Sequence, residues 1–147
     1  MEKEQIEIVL VEDNKDDAAL AIRALTKNNL ANKMIHLKDG EEALDFFFGT
    51  GSFAGRETSN MPKVVLLDLK MPKVNGIEVL EKLKANTATK SIPIVVLTSS
   101  AEDPDIDKCY AIGANSYIVK PVKFDDFTKA VAQLGMYWMV LNKPSAV

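Results

Sequence analysis

The sequence predicts an α/β fold built on a parallel sheet, and three observations carry that prediction. Short runs rich in Val, Ile and Leu recur without strict polar alternation, as expected of strands buried on both faces. Segments of helical period fall between these runs, giving a strand-helix-strand order. Four of the runs also end in a group with chemistry: 6–11 in Glu12 and Asp13, 63–67 in Asp68, 94–97 in Thr98, and 116–119 in Lys120. In an open α/β sheet the carboxyl ends of the strands form the ligand crevice, so these groups are expected around one site.

Taken in order, strands are expected at 6–11, 34–38, 63–68, 94–98 and 116–119, each followed by a helix. The first helix begins after Asn14, whose side chain can cap free N–H groups, while Asp16 and Asp17 complement the positive end of the helix dipole. Its apolar face is expected to be Ala19, Leu20, Ile22, Ala24 and Leu25. The second helix covers 41–48, the third 77–85, and the fourth 104–112, closed by Gly113 as a C-cap. The fifth covers 124–141 and stops before Pro144. Residues 49–62 are rich in Gly, Ser, Thr and Asn and read as a surface loop. Gly49, Gly51 and Gly55 there imitate a dinucleotide fingerprint, but the spacing to the last glycine is wrong and the run follows a helix instead of a strand.

The 147 residues, 47% of them hydrophobic, can bury one core and are too few to predict two full domains. With 18 basic against 21 acidic residues, the net charge of -3 supplies no long-range attraction for nucleic acid. The charged N-terminus lacks the apolar core of a signal peptide, and no apolar run approaches a membrane span, so a cytoplasmic protein is expected. A single cysteine, Cys109, leaves no intramolecular disulfide and no cysteine cluster for zinc, and reads as a buried or half-buried thiol. His36, the only histidine, lies in a strand without the context of a phosphate carrier and reads as structural or exposed.

Three carboxylates brought together at the strand ends repel one another and call for a cation. Mg²⁺ fits, since it takes oxygen ligands in an octahedron, accepts one or two carboxylates, and fills the remaining positions with water, a backbone carbonyl and phosphate oxygens. Such a site suits phosphoryl transfer. A carboxylate attacks phosphorus in line while Lys120 and Thr98 take up charge on the equatorial oxygens, leaving an acyl phosphate on Asp68. Seen singly, each residue has a plainer explanation: an acid at a strand end caps a helix or forms a turn, and a lone Lys is a solvated charge. Four strand ends carrying complementary groups in chain order are not explained by turn chemistry.

These residues resemble the receiver domain of two-component response regulators. The resemblance rests on Val11-Glu12-Asp13-Asn14, on Leu66 to Pro72 with Asp68 at its centre, on Asn75-Gly76, on Val95-Val96-Leu97-Thr98-Ser99, and on Gly113 to Pro121, which together span nearly the whole chain. Residues 40–49, the loop after them and residues 133–142 further resemble the stand-alone regulators partnered with bacterial phytochrome histidine kinases. The resemblance implies a doubly wound, flavodoxin-like (βα)5 sandwich, one receiver domain over 1–147, with strand order 2-1-3-4-5 and five helices. It implies that Asp68 accepts a phosphoryl group from a phosphohistidine of a sensor histidine kinase. Glu12 and Asp13 then hold Mg²⁺, directly or through water, with Asp68 and the backbone carbonyl of Lys70. Thr98 and Lys120 bind the phosphoryl oxygens, and Thr98 with Tyr117 forms the switch, Tyr117 filling the space that Thr98 vacates. Asn75 stands where many receivers have Asp, and both types support the turn.

The chain ends shortly after the fifth helix, so output is expected through protein contact, without a separate output domain. In that helix Phe127, Val131, Leu134, Trp138 and Leu141 make one apolar stripe, and Met136, Tyr137, Met139 and Val140 leave the last turns apolar elsewhere. A homodimer through helix four, strand five and helix five is the expectation. Two other classes compete. An aspartyl-nucleophile phosphatase needs a second acid two residues after Asp68, where Lys70 stands. A pseudo-receiver that signals without phosphorylation would lack the acid pair, the nucleophile or the lysine, all of which are present.

Overall fold

Five parallel strands form one sheet: β1 (Ile8–Val11), β2 (Met34–Leu37), β3 (Val64–Leu67), β4 (Ile94–Thr98) and β5 (Ser116–Val119), side by side in the order β2-β1-β3-β4-β5. The computed structural model describes residues 6–27, 33–56, 58, 61–71, 74–98, 103–119, 129, 130 and 133. Within them lie four helices, α1 (Lys15–Lys27), α2 (Gly40–Phe48), α3 (Gly76–Ala85) and α4 (Asp103–Ile112), and a 3-10 turn at Gly51–Phe53. Of the fifth expected helix, 124–141, only Lys129, Ala130 and Gln133 are described, and these are helical; the rest, with its apolar stripe, lies outside the described residues.

Every residue of β1 and β3 is buried, which explains their uninterrupted apolar sequences. Side chains alternate between two cores. Val9, Val11, Val65, Leu67, Ile94 and Val96 face α2, α3 and α4, meeting Phe46, Phe47, Leu80, Leu83 and Cys109. Ile8, Leu10, Val64, Leu66, Val95 and Leu97 face α1. That helix buries Ala18, Ala21, Ala24 and Leu25, whereas Ala19 is exposed and Leu20 and Ile22 are half-buried. The expected face was rotated because residues 18–22 are apolar all round, so periodicity alone did not fix the stripe; small alanines at 18, 21 and 24 let the helix seat close to the sheet.

Local chemistry sets the helix ends. Asn14 Oδ1 accepts from the Asp17 amide at 3.0 Å, Asp39 Oδ1 from Glu42 at 2.8 Å, and Asn75 Oδ1 from Glu78 at 2.9 Å. Gly49, at φ 65°, closes α2, and Gly113 closes α4 with its amide donating to the Cys109 carbonyl at 3.1 Å. Within the expected surface loop after α2, Phe53 and Arg56 fold back onto that helix. Phe53 of the 3-10 turn meets Phe46 edge-on at 5.3 Å, and the Arg56 guanidinium lies 3.8 Å above the same ring and donates to the Phe46 carbonyl at 2.9 Å.

The start of β4 is braced from both sides. Asn115 accepts from the Ile94 amide at 2.9 Å through its side chain and donates its own amide to the Ile94 carbonyl at 2.8 Å. Lys84 lays its stem beside Gly113 and donates its ammonium to the carbonyls of Lys90 at 3.0 Å and Ile92 at 2.8 Å. Burial along this path holds the Lys84 pKa below the ordinary lysine value.

Candidate functional site

The sheet register puts the ends of β1 and β3 side by side. Val11 pairs with Leu37 on one flank and Leu67 on the other. One residue further on, the Glu12 amide donates to the Leu37 carbonyl at 3.0 Å and the Asp68 amide to the Val11 carbonyl at 3.0 Å. The ladder therefore persists one step past the assigned strands and delivers two acids at the same height. Glu12 and Asp68 are only 3% and 5% exposed, while Asp13, the next residue of the turn, faces solvent.

One carboxylate oxygen from each of Glu12, Asp13 and Asp68 lies within 4.8 Å of the other two. For a buried charge pair at this spacing the mutual repulsion is about 3 kcal/mol at an effective dielectric of 20, so a cation between them is favoured. Octahedral Mg²⁺ has ligand distances of about 2.1 Å, which limits opposite ligands to about 4.2 Å apart. The observed spacing fits an ion taken with a small side-chain rotation or with one acid bound through water. All donors are oxygens, the ligand type that hard divalent cations select.

The turn is held from within. Glu12 Oε2 accepts from the Asn14 amide at 3.2 Å, and the Glu12 carbonyl lies 2.8 Å from Nε2 of His36 on β2. On the other side, the Gly76 amide donates to the Leu69 carbonyl at 2.8 Å, and a Cβ at position 76 would run into the Asp68 carbonyl oxygen. Likewise a Cβ at Gly40 would run into the Val74 carbonyl, so the start of α2 packs against the segment leading into α3. Beside the acids opens a cleft of about 480 Å³ lined by Asp13, Lys70, Met71, Asn75, Ile77 and Asp105, among others. Asp105 of α4 had no sequence signal, since it reaches the cleft only through tertiary packing. Neither did the contact of His36, whose partner is 24 residues away.

The other expected site residues are placed as follows. Lys70 is exposed and lines the cleft. The Thr98 backbone ends β4 in register with Val119, and its side chain lies outside the described residues, as does Lys120. Tyr117 is half-buried on β5, paired with Val96 and packed against the core shared by α2, α3 and α4.

Residues 8–132 match the family of response regulator receiver domains. The chain belongs to that family. Receivers are signalling proteins of two-component systems. This receiver is 39% identical over 136 residues to the probable methanogenesis regulatory protein FilR2 of Methanothrix harundinacea, covering 92% of this chain and 85% of the relative. To the response regulator Rcp1 of Synechocystis sp. it is 36% identical over 132 residues, covering 90% and 88%. Among solved structures it superposes on the phosphorylated cyanobacterial phytochrome response regulator RcpA with a TM-score of 0.85 at 32% identity, covering 97% and 99%. It superposes on the bacteriophytochrome response regulator RtBRR with a TM-score of 0.78 at 48% identity, covering 97% and 85%. A Mn²⁺-bound structure of Rcp1 matches with a TM-score of 0.83 at 34% identity, covering 95% of this chain and 98% of Rcp1. The receiver thus resembles regulators that partner phytochromes, and its acid cluster corresponds in type to the acidic site at which receivers bind divalent cations. Among the described residues no helix is long and apolar enough to cross a membrane.

Proposed function

We propose that this receiver accepts a phosphoryl group on Asp68 from a phosphohistidine of a sensor histidine kinase and signals by contacts that depend on that phosphoryl group. The convergence of Glu12, Asp13 and Asp68 at the ends of β1 and β3 carries the reading. Glu12 and Asp13, directly or through water, would hold Mg²⁺ with Asp68 and the Lys70 backbone carbonyl; when bound, the ion neutralises charge on the acids and on the transferring group. An Asp68 carboxylate oxygen attacks phosphorus, the P–N bond to the imidazole breaks, and the bond's electron pair leaves with the ring nitrogen. Thr98 and Lys120 would take up charge on the phosphoryl oxygens, a role suited by Thr98 ending β4 and Lys120 following β5 in the sequence. The same groups would assist the slow hydrolysis that resets the protein.

The product adds about two negative charges at the end of the sheet, so Thr98 and Lys120 gain partners absent from the free state. Tyr117, beside Val96 on β5, would complete the switch by filling the space Thr98 leaves. The likeness to RcpA and RtBRR supports a kinase of the bacterial phytochrome type. The family match over 8–132 supports a receiver domain. We further propose that this one domain fills 1–147, acts in the cytoplasm and pairs as a homodimer through α4, β5 and the fifth helix; a net charge of -3 gives no long-range attraction for nucleic acid. Binding of the phosphoryl mimic beryllofluoride, followed by ¹⁹F NMR, tests the site: bound fluorine signals should require Mg²⁺ and vanish in Asp68→Asn. Signals that persist in Asp68→Asn would contradict it. Sedimentation with and without the mimic tests the dimer, and a monomer in both states would rule it out.

A further inference from the structure

We propose that His36 is a positioning residue for the divalent cation, acting through the backbone of Glu12; the inference rests on the metal-site reading above. Three contacts of Glu12 bear on the turn. Its amide donates to the Leu37 carbonyl, its Oε2 accepts from the Asn14 amide, and its carbonyl lies 2.8 Å from His36 Nε2. The first two follow from the ladder and the turn. The third comes from a side chain on the neighbouring strand. His36 pairs with Leu10, two residues before Glu12 and on the same side of β1, so its ring reaches one pleat further to the point where the chain leaves the sheet.

A carbonyl oxygen can only accept, which assigns the proton to Nε2 and makes His36 a donor rather than a metal ligand through that nitrogen. His36 is itself exposed, so water can replace its ring at the Glu12 carbonyl, but a water does not tie the turn to β2. Loss of that tether leaves the turn freer to shift relative to β2. The shift falls on the two residues that present carboxylates, Glu12 and Asp13, while Asp68 stays held by the β1–β3 ladder and by the close approach of Gly76. The three oxygens would then converge less closely. The β2–α2 junction thus touches both acid-bearing segments, through His36 on the β1–α1 turn and through Gly40 on Val74 before α3.

Mn²⁺ titration by calorimetry or electron paramagnetic resonance, on the full chain, tests this with four proteins: wild type, His36→Ala, His36→Gln and Asp13→Asn. The expected result is an affinity about tenfold weaker in His36→Ala, the low end of what loss of an outer-shell partner costs. His36→Gln, whose amide N–H reaches the position of Nε2, should recover most of it. A residue that serves stability alone would lower the urea midpoint in chelator and leave the affinity of the folded protein unchanged. Affinity in His36→Ala within twofold of wild type, while Asp13→Asn loses binding, would overturn the inference and leave the metal site standing. A wild-type chain that binds no Mn²⁺ would overturn both.

Discussion

Gly76 shows how a single hydrogen in place of a methyl group positions a site. Its own amide closes onto Leu69, and the space a Cβ needs is already filled by the Asp68 carbonyl and, at 2.6 Å, by Leu69 Cα. Gly76→Ala should therefore push α3 away from the end of β3, costing about 1 to 3 kcal/mol as overpacking does, and should lower the urea midpoint accordingly. The glycine was visible in the sequence as part of a motif. Its reason was not, because the clash involves a carbonyl eight residues away. Cys109 was legible more simply: a lone cysteine with no His or second Cys nearby reads as a buried or half-buried thiol, and it is fully buried. Burial first, then the Asp105 charge, push its pKa above the ordinary value, with Lys108 opposing. The native thiol should stay inert to thiol reagents at pH 8 and react once denatured. Since the unfolded chain ionises first, this group's contribution to stability is present below its ordinary pKa of 9.0 and is lost as pH rises from there toward the folded value.

At the scale of elements, the strand ends and helix starts were set by residues whose chemistry is local, and these were legible. Asn75 illustrates it: a turn former in the sequence, it caps α3 by accepting from the Glu78 amide. Asn75→Ala should destabilise the fold by about 1 kcal/mol in chemical denaturation. Breaking the exposed Glu78–Lys82 pair, 3.4 Å apart on the same helix, should change stability by no more than about 0.5 kcal/mol, since both partners are hydrated. The buried face of α1 was not legible, because an apolar cluster all round the helix hides the phase of the stripe. The packing of residues 51–56 onto α2 was hidden too: nothing in a Gly- and Ser-rich composition announces that Phe53 and Arg56 both seek the Phe46 ring.

For the whole molecule, the fold was legible because uninterrupted apolar runs alternate with segments of helical period, while the order of the strands came through the family resemblance. The acid cluster was legible because its members stand one or two residues past the end of a buried strand. What holds the cluster from outside, His36 and Gly40 above all, was not, because those contacts form only when β2 and α2 reach their places. If Mg²⁺ binds the native site and not the unfolded chain, a concentration 100 times the dissociation constant should add about 2.7 kcal/mol of stability. In Asp13→Asn that gain should disappear, and the variant in chelator should be no less stable than wild type, since one of three converging charges is gone. Thermal midpoints with and without Mg²⁺ check both statements.

The central claim is that Asp68, held beside Glu12 and Asp13, accepts a phosphoryl group. Intact-mass spectrometry after incubation with a small acyl phosphate and Mg²⁺, alongside Asp68→Asn and a chelator control, tests it most directly. The account predicts the addition of one phosphoryl group that requires both Asp68 and the metal. No adduct on a wild-type chain that binds Mg²⁺, or an adduct that persists in Asp68→Asn, would contradict it.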